Sequence, residues 1–147
     1  MRDGVRIADD YLSRLKGLEQ MIEFDRERIR QLRAGMDGVG AITYDGPRVK
    51  SSPRKDRTEQ MIIRLERAVS AYTAHEELLV AEWAAILEKI RAMDSPLHAD
   101  ILTARYLHGQ TLARVARTLN YSESHIRKEA AEALMAFYEK HLKEEKE

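Results

Sequence analysis

Apolar residues recur along two long stretches of the chain at spacings that alternate between three and four residues, with one acidic member in each stripe. The first stripe consists of Tyr11, Leu15, Leu18, Ile22, Asp25, Ile29 and Leu32. The second consists of Ile62, Leu65, Val69, Tyr72, Glu76, Leu79, Trp83, Ile86, Ile90 and Met93. A mean repeat of 3.5 residues aligns side chains along one seam between packed helices, as in a coiled coil. The sequence therefore predicts an all-α fold that begins with a long antiparallel helical hairpin (coiled coil) over residues 5–94.

The acidic members, Asp25 and Glu76, interrupt otherwise apolar seams. A lone polar residue in a seam typically fixes register or partner choice and seldom performs chemistry. We therefore expect these two residues to set how the two helices align.

Residues 35–55 separate the two stripes and contain four glycines, two prolines and a pair of serines. Such a composition disfavours regular helix and is typical of a long exposed loop. The sequence therefore predicts that the hairpin turns through an exposed loop at 35–55.

Signals for shorter helices follow the second stripe. Ser95 and Pro96 suit the N-cap and the first position of a helix, and Gly109 suits its C-terminal stop. Thr111 and Ser122 suit the N-caps of two further helices. The pattern therefore predicts three consecutive short helices in the C-terminal third.

The spacing of four residues within these helices matches a helix-turn-helix. With Leu112 as the first position, Ala116 is the fifth, Asn120 the ninth and Ile126 the fifteenth. The motif needs a small residue where its helices cross, a left-handed conformation at the turn and an aliphatic residue that locks the second helix. These positions therefore predict a helix-turn-helix domain over residues 95–140.

The stretch from Ala104 to Lys128 resembles region 4 of sigma-70-type factors. The resemblance is carried by Arg105-Tyr106-Leu107, Gly109, Thr111, Ala116 and Tyr121-Ser122-Glu123. This arrangement is especially similar to small phage and prophage regulators of the ArpU and RinA kind, which also place helical sequence before such a module. Asn120 stands where the family commonly has glycine, and no region 2 sequence precedes the motif, so a complete sigma factor is not expected. The resemblance implies a DNA-binding transcription regulator.

By the same resemblance, the third helix of the domain enters the major groove of double-stranded DNA, and its exposed early positions face bases and phosphates. The candidate contacts on that helix are Ser122, Glu123, Ser124, His125, Arg127 and Lys128. Candidate contacts to the DNA backbone from the start of the preceding helix are Gln110, Thr111 and Arg114. Candidate auxiliary phosphate contacts from the loop are Arg48, Lys50, Arg54 and Lys55, although a solvated loop without a role in binding is the alternative.

Charge limits how tightly one copy can hold DNA. The chain has no formal net charge, and residues 97–128 carry five basic side chains against two acidic ones. A monomer with so few phosphate contacts would bind in the non-specific range of ~10⁻⁴–10⁻⁶ M. We therefore expect a homo-oligomer, most simply a dimer through the N-terminal helices, with RNA polymerase as a candidate partner.

The sequence argues against several other classes of function. The chain has no cysteine, which rules out a disulfide scaffold and a thiolate zinc site. Its histidines form no pair at helical spacing backed by carboxylates, and no glycine-rich phosphate loop occurs. We therefore expect no catalytic residues, no metal site and no cofactor. Because no apolar run is long enough to span a bilayer or resembles a signal peptide, we expect no membrane partner and a cytoplasmic location. Residues 141–147 are rich in glutamate, so we expect them to form a solvated tail.

Two alternatives to a transcription regulator stay open at this point. A DNA-packaging component of small-terminase type also joins a helix-turn-helix to oligomerising helices, although it usually places the DNA-binding part first. A coiled-coil adaptor would use its terminal bundle to contact only protein and would not bind DNA.

Overall fold

The computed structural model of the chain describes residues 2–44 and 53–143, and the predicted all-α class is confirmed because these residues form helices and no strand. The N-terminal helices are α1 (Arg2–Leu12), α2 (Arg14–Tyr44) and α3 (Pro53–Arg91). They are followed by α4 (Pro96–Leu102), a π-helical turn (Thr103–Leu107), α5 (Leu112–Leu119), α6 (Glu123–Phe137) and a second π-helical turn (Tyr138–Leu142). Within this described part, none of the helices combines the length and apolarity that crossing a bilayer requires.

The chain divides into two compact units. The small unit is residues 20–80, and the large unit combines Met1–Glu19 with Ala81–Glu147. This division differs from the predicted boundary at residue 94. The physical reason is that α1 packs against α6, so the two ends of the chain share one unit.

In the small unit, α2 and α3 run antiparallel and both acidic seam residues are paired across the helices. Asp25 is only 2% exposed, and its carboxylate lies 2.5 Å from Nδ1 of His75. Arg26 donates to Glu76 over 2.8 Å. A buried carboxylate needs such a partner because leaving it unpaired costs several kcal/mol in desolvation. The polar seam positions therefore favour one alignment of the two helices.

The prediction of a loop at 35–55 is wrong for most of these residues, because the described ones are helical. Helix α2 continues to Tyr44, and α3 begins at Pro53, the first-turn position that proline favours. Glycine in a helix costs about 1 kcal/mol, but tertiary packing routinely overrides such a propensity. At Gly35 the absent Cβ would lie 4.0 Å from Cδ1 of Leu65, so this glycine faces α3.

In the large unit, α1 packs closely on α6 and the π-helical turn that follows it. The rings of Tyr11 and Phe137 lie 5.8 Å apart between centroids, and Phe137 is fully buried. The hydroxyl of Tyr106 donates to the carboxylate of Asp9. Burial, together with this hydrogen bond, raises the pKa of Tyr106 well above the usual range of a tyrosine. The phenol therefore stays protonated and keeps donating to α1.

The end of α3 is also tied to the end of the chain within the large unit. Lys140 donates to Asp94 over 2.9 Å, and this hydrogen bond lowers the pKa of the Asp94 carboxyl. Nε2 of His141 lies 2.8 Å from the carbonyl oxygen of Lys89, and burial lowers the pKa of the imidazole. Lys89 in turn donates to the hydroxyl of Tyr11 over 2.9 Å. The large unit is therefore a bundle of α1, the end of α3 and the C-terminal helices.

Replacing Gly4 with alanine should lower thermal stability, whereas Gly17→Ala should raise it. Both residues lie inside helices, so the gain of about 1 kcal/mol in helix propensity is common to both variants. A Cβ at Gly4 would lie 2.9 Å from Cδ2 of Tyr138 and 3.0 Å from Sδ of Met135, whereas one at Gly17 meets nothing within 4 Å. Overpacking costs about 1–3 kcal/mol. Thermal unfolding followed by circular dichroism measures both, and equal melting temperatures would contradict the close packing of α1.

Candidate DNA-binding site

The first helix of the C-terminal module begins and ends as the sequence predicts. Ser95 caps α4, with its Oγ accepting a hydrogen bond of 3.2 Å from the amide of His98. Pro96 occupies the first position. After the π-helical turn the chain passes through Gly109, whose φ of +64° lies in the left-handed region that favours glycine. This glycine ends the helix and turns the chain into α5.

Caps fix both ends of α5 and the start of α6. Thr111 caps α5, with Oγ1 accepting from the amide of Arg114 over 3.2 Å. Asn120 ends α5 with φ 62° and ψ 43°, the left-handed conformation that the turn requires. Ser122 then caps α6 by accepting from the amide of His125 over 3.1 Å. The predicted caps and the predicted left-handed residue are all confirmed.

A small apolar core fixes α6 against the preceding helices. Ile101, Val115, Ala116 and Ile126 form it, each at most 3% exposed. Ala116 and Ile126 are the fifth and fifteenth positions of the motif, so burial at both places gives the interhelical packing that the spacing predicts. The surrounding side chains that pack on this core are Leu97, Ala104, Leu112, Leu119 and Ala130.

The predicted contact residues at the start of α6 are all exposed: Ser122, Glu123, Ser124, His125, Arg127 and Lys128. Thr111 and Arg114 are exposed at the start of α5, whereas Gln110 is half-buried and its Oε1 has no hydrogen-bond partner among the described residues. The structure therefore leaves this surface free for a ligand, and contact with DNA stays a prediction.

Within this surface, Arg127 is held by its own helix. Its Nη2 donates to Oε1 of Glu123 over 2.8 Å, and the two side chains are 67% and 50% exposed. Glu123 lies in the first turn of α6, where a negative charge favours the positive end of the helix dipole. A guanidinium has five N–H donors, so Arg127 keeps donors available for a guanine or a phosphate while it is oriented by Glu123.

The predicted auxiliary contacts are only partly covered by the structure. Arg54 and Lys55 are exposed in the first turn of α3, in the small unit. Arg48 and Lys50 lie outside the described residues. Their role in phosphate binding therefore stays a prediction.

The C-terminal segment matches a known protein family. Residues 95–139, about a third of the chain, match the family model of sigma-70, region 4. Comparison with curated proteins and with solved structures gives no significant match. The chain therefore carries a DNA-binding helix-turn-helix of the sigma-70 region 4 type, which is a regulatory and not an enzymatic family. The resemblance that the sequence suggested for residues 104–128 is confirmed at this level.

Asn120→Val should destabilise the helix-turn-helix, whereas Asn120→Gly should leave it nearly unchanged. A left-handed conformation costs a residue with a Cβ about 1–2 kcal/mol, and a β-branched residue has no side-chain hydrogen bond to offset it. Glycine carries no such penalty. Chemical denaturation of the full chain compares the two variants. A valine variant as stable as the glycine variant would show that the turn does not need this conformation.

Proposed function

We propose that this chain is a sequence-specific DNA-binding transcription regulator that reads the major groove with the helix beginning near Ser122. The observation that carries the proposal is the exposed polar surface at the start of α6, which belongs to a segment matching sigma-70 region 4. In a helix-turn-helix the early positions of the second helix reach base edges, while the preceding helix contacts the DNA backbone.

The chemistry of the exposed side chains suits this role. Arg127 can donate both its terminal groups to a guanine, and Glu123 can accept from a cytosine amino group. Ser124 and Lys128 can bind phosphate oxygens, which position the helix without specifying sequence. Thr111 and Arg114 lie where α5 begins and can add contacts to the backbone.

We further propose that the regulator is of phage or prophage type and that RNA polymerase is its first candidate partner. The similarity of Arg105-Tyr106-Leu107 and Tyr121-Ser122-Glu123 to small phage regulators supports the first point. The match to a region of sigma-type factors supports the second, because such factors act together with polymerase.

The small unit offers a surface for self-association, and we propose that a second copy of this chain covers it. Among the described residues, five of the six large apolar side chains that are exposed lie in this unit: Met21, Phe24, Met61, Ile63 and Leu78. Phe24 and Leu78 are 64% and 71% exposed. Both lie within one helical turn of the Asp25–His75 and Arg26–Glu76 pairs. A dimer would also supply the second DNA contact that one weakly charged module lacks.

The double variant Arg127→Ala/Lys128→Ala should weaken binding to a selected DNA duplex much more than Arg64→Ala/Arg67→Ala. Both variants remove two exposed positive charges, so they match in net charge, but the control pair lies on α3 in the small unit. If Arg127 reads a base, Arg127→Ala alone should cost about 1–3 kcal/mol and relax preference at one position. Fluorescence anisotropy at two salt concentrations measures this.

Equal affinities for the two double variants would contradict the assignment of α6 as the DNA-reading helix. No salt-dependent DNA binding by the wild-type chain would instead favour the adaptor alternative.

Phe24→Glu/Leu78→Glu should convert a dimer of the full chain into a monomer in sedimentation equilibrium. The control Gln20→Glu/Ser70→Glu adds the same charge at exposed polar positions of α2 and α3 and should stay dimeric. Burying charge in an apolar contact carries a desolvation penalty that the control avoids. A wild-type monomer would contradict self-association, and a large ring would favour the DNA-packaging alternative.

A further inference from the structure

A cluster of imidazole and carboxylate groups connects α4 to α6 in the large unit. Nε2 of His98 lies 3.0 Å from Oε2 of Glu129. The nearest ligand atoms of His98, Glu129 and Glu132 all lie within 4.8 Å of one another. Nε2 of His125 lies 3.9 Å from the other carboxylate oxygen of Glu129. Glu129 therefore stands between two imidazoles, with a second carboxylate close by.

Two members of this cluster are partly shielded from water, and a third has no partner among the described side chains. The side chains of His98 and Glu129 are only 16% and 18% exposed, so water screens their charges incompletely. Glu132 forms no hydrogen bond or ion pair with any side chain in the described part of the chain. A divalent cation bound here would be attracted by both carboxylates.

We propose that His98, Glu129 and Glu132 bind a divalent transition-metal ion of the zinc class, with His125 as the fourth ligand. Imidazole nitrogen and carboxylate oxygen are ligands that zinc accepts, at about 2.0–2.2 Å, in tetrahedral sites. Tetrahedral geometry at that bond length separates ligand atoms by roughly 3.3–3.6 Å. The 3.0 Å between Nε2 of His98 and Oε2 of Glu129 is close to this value, and small side-chain rotations would bring the ligand atoms of all three residues, which lie within 4.8 Å of one another, to it.

The fold holds these ligands in place through rigid elements. His98 is anchored because its amide donates to the Ser95 cap at the start of α4. His125, Glu129 and Glu132 follow one another at i, i+4 and i+7, so they share one face of α6. The histidine that completes the cluster is 31 residues away from Glu129 in the chain. Because His98 and Glu129 are so far apart in the chain, histidine spacing within a single helix does not indicate this cluster.

An ion at this site would connect metal binding to the DNA-facing surface. It would cross-link α4 to α6, and it would take up the imidazole of His125, which belongs to that surface. This consequence rests on the proposed function, but metal binding itself does not. The test below therefore uses no DNA, so its outcome is independent of whether the chain binds DNA.

The experiment is titration of the full chain with zinc chloride by isothermal titration calorimetry, with thermal unfolding measured alongside. The wild-type chain should bind one zinc ion and melt at a higher temperature when loaded. Glu132→Gln should weaken zinc binding at least about tenfold without changing the stability of the metal-free chain, because this carboxylate has no partner among the described side chains to lose. His98→Ala should weaken zinc binding at least as much.

His108→Ala is the matched control, since His108 is exposed and lies outside the cluster, and it should bind zinc like the wild type. A wild-type chain that binds no zinc would overturn the proposal. So would zinc binding that is the same in Glu132→Gln, His98→Ala and the wild type. Should His98→Ala unfold, Glu132→Gln alone decides the outcome.

Discussion

The close packing of α1 on α6 is the contact on which the rest of the large unit depends. It is possible because Gly4 has no side chain to separate the helix from Tyr138 and Met135. Phe137 is fully buried beneath Tyr11, and Asp9 accepts from Tyr106 in the π-helical turn after α4. The N-terminal residues thereby become part of the domain that carries the helix-turn-helix. Helix α1 covers an apolar face of the three short helices that would otherwise be exposed to water.

This packing divides α6 into a half that α1 covers and a half that is more exposed. Its second half is covered by α1, with Ala133 and Phe137 fully buried. Its first half packs on the core through Ile126 and Ala130, and it presents Glu123, Arg127 and their neighbours to solvent. A helix that is packed along one face and exposed at its start suits the DNA-reading role that we propose, because base contacts need side chains held in a fixed geometry.

Helix caps and the left-handed turn residue could be predicted from the sequence. Contacts between residues far apart in the chain could not. The caps at Thr111 and Ser122 and the left-handed Asn120 depend on neighbours a few residues away, so their residue types were sufficient. Two contacts join segments that are far apart in sequence: Gly4 with Tyr138, and His98 with Glu129. No rule of residue spacing predicts such contacts. The helical conformation at Gly35 was not predicted because the glycine- and proline-rich composition around it disfavours helix, and composition is only a weak guide to helix formation.

The most direct measurement of the central claim is an amide NMR titration of the full chain with a DNA duplex selected from random sequences. We expect chemical-shift changes at residues 111–114 and 122–128, where the caps and the exposed side chains lie. Residues 133–137 on the covered half of α6, and the α2–α3 pair within residues 20–80, should change little. Changes confined to the covered half of α6 or to residues 20–80 would contradict the assignment of the DNA-reading surface.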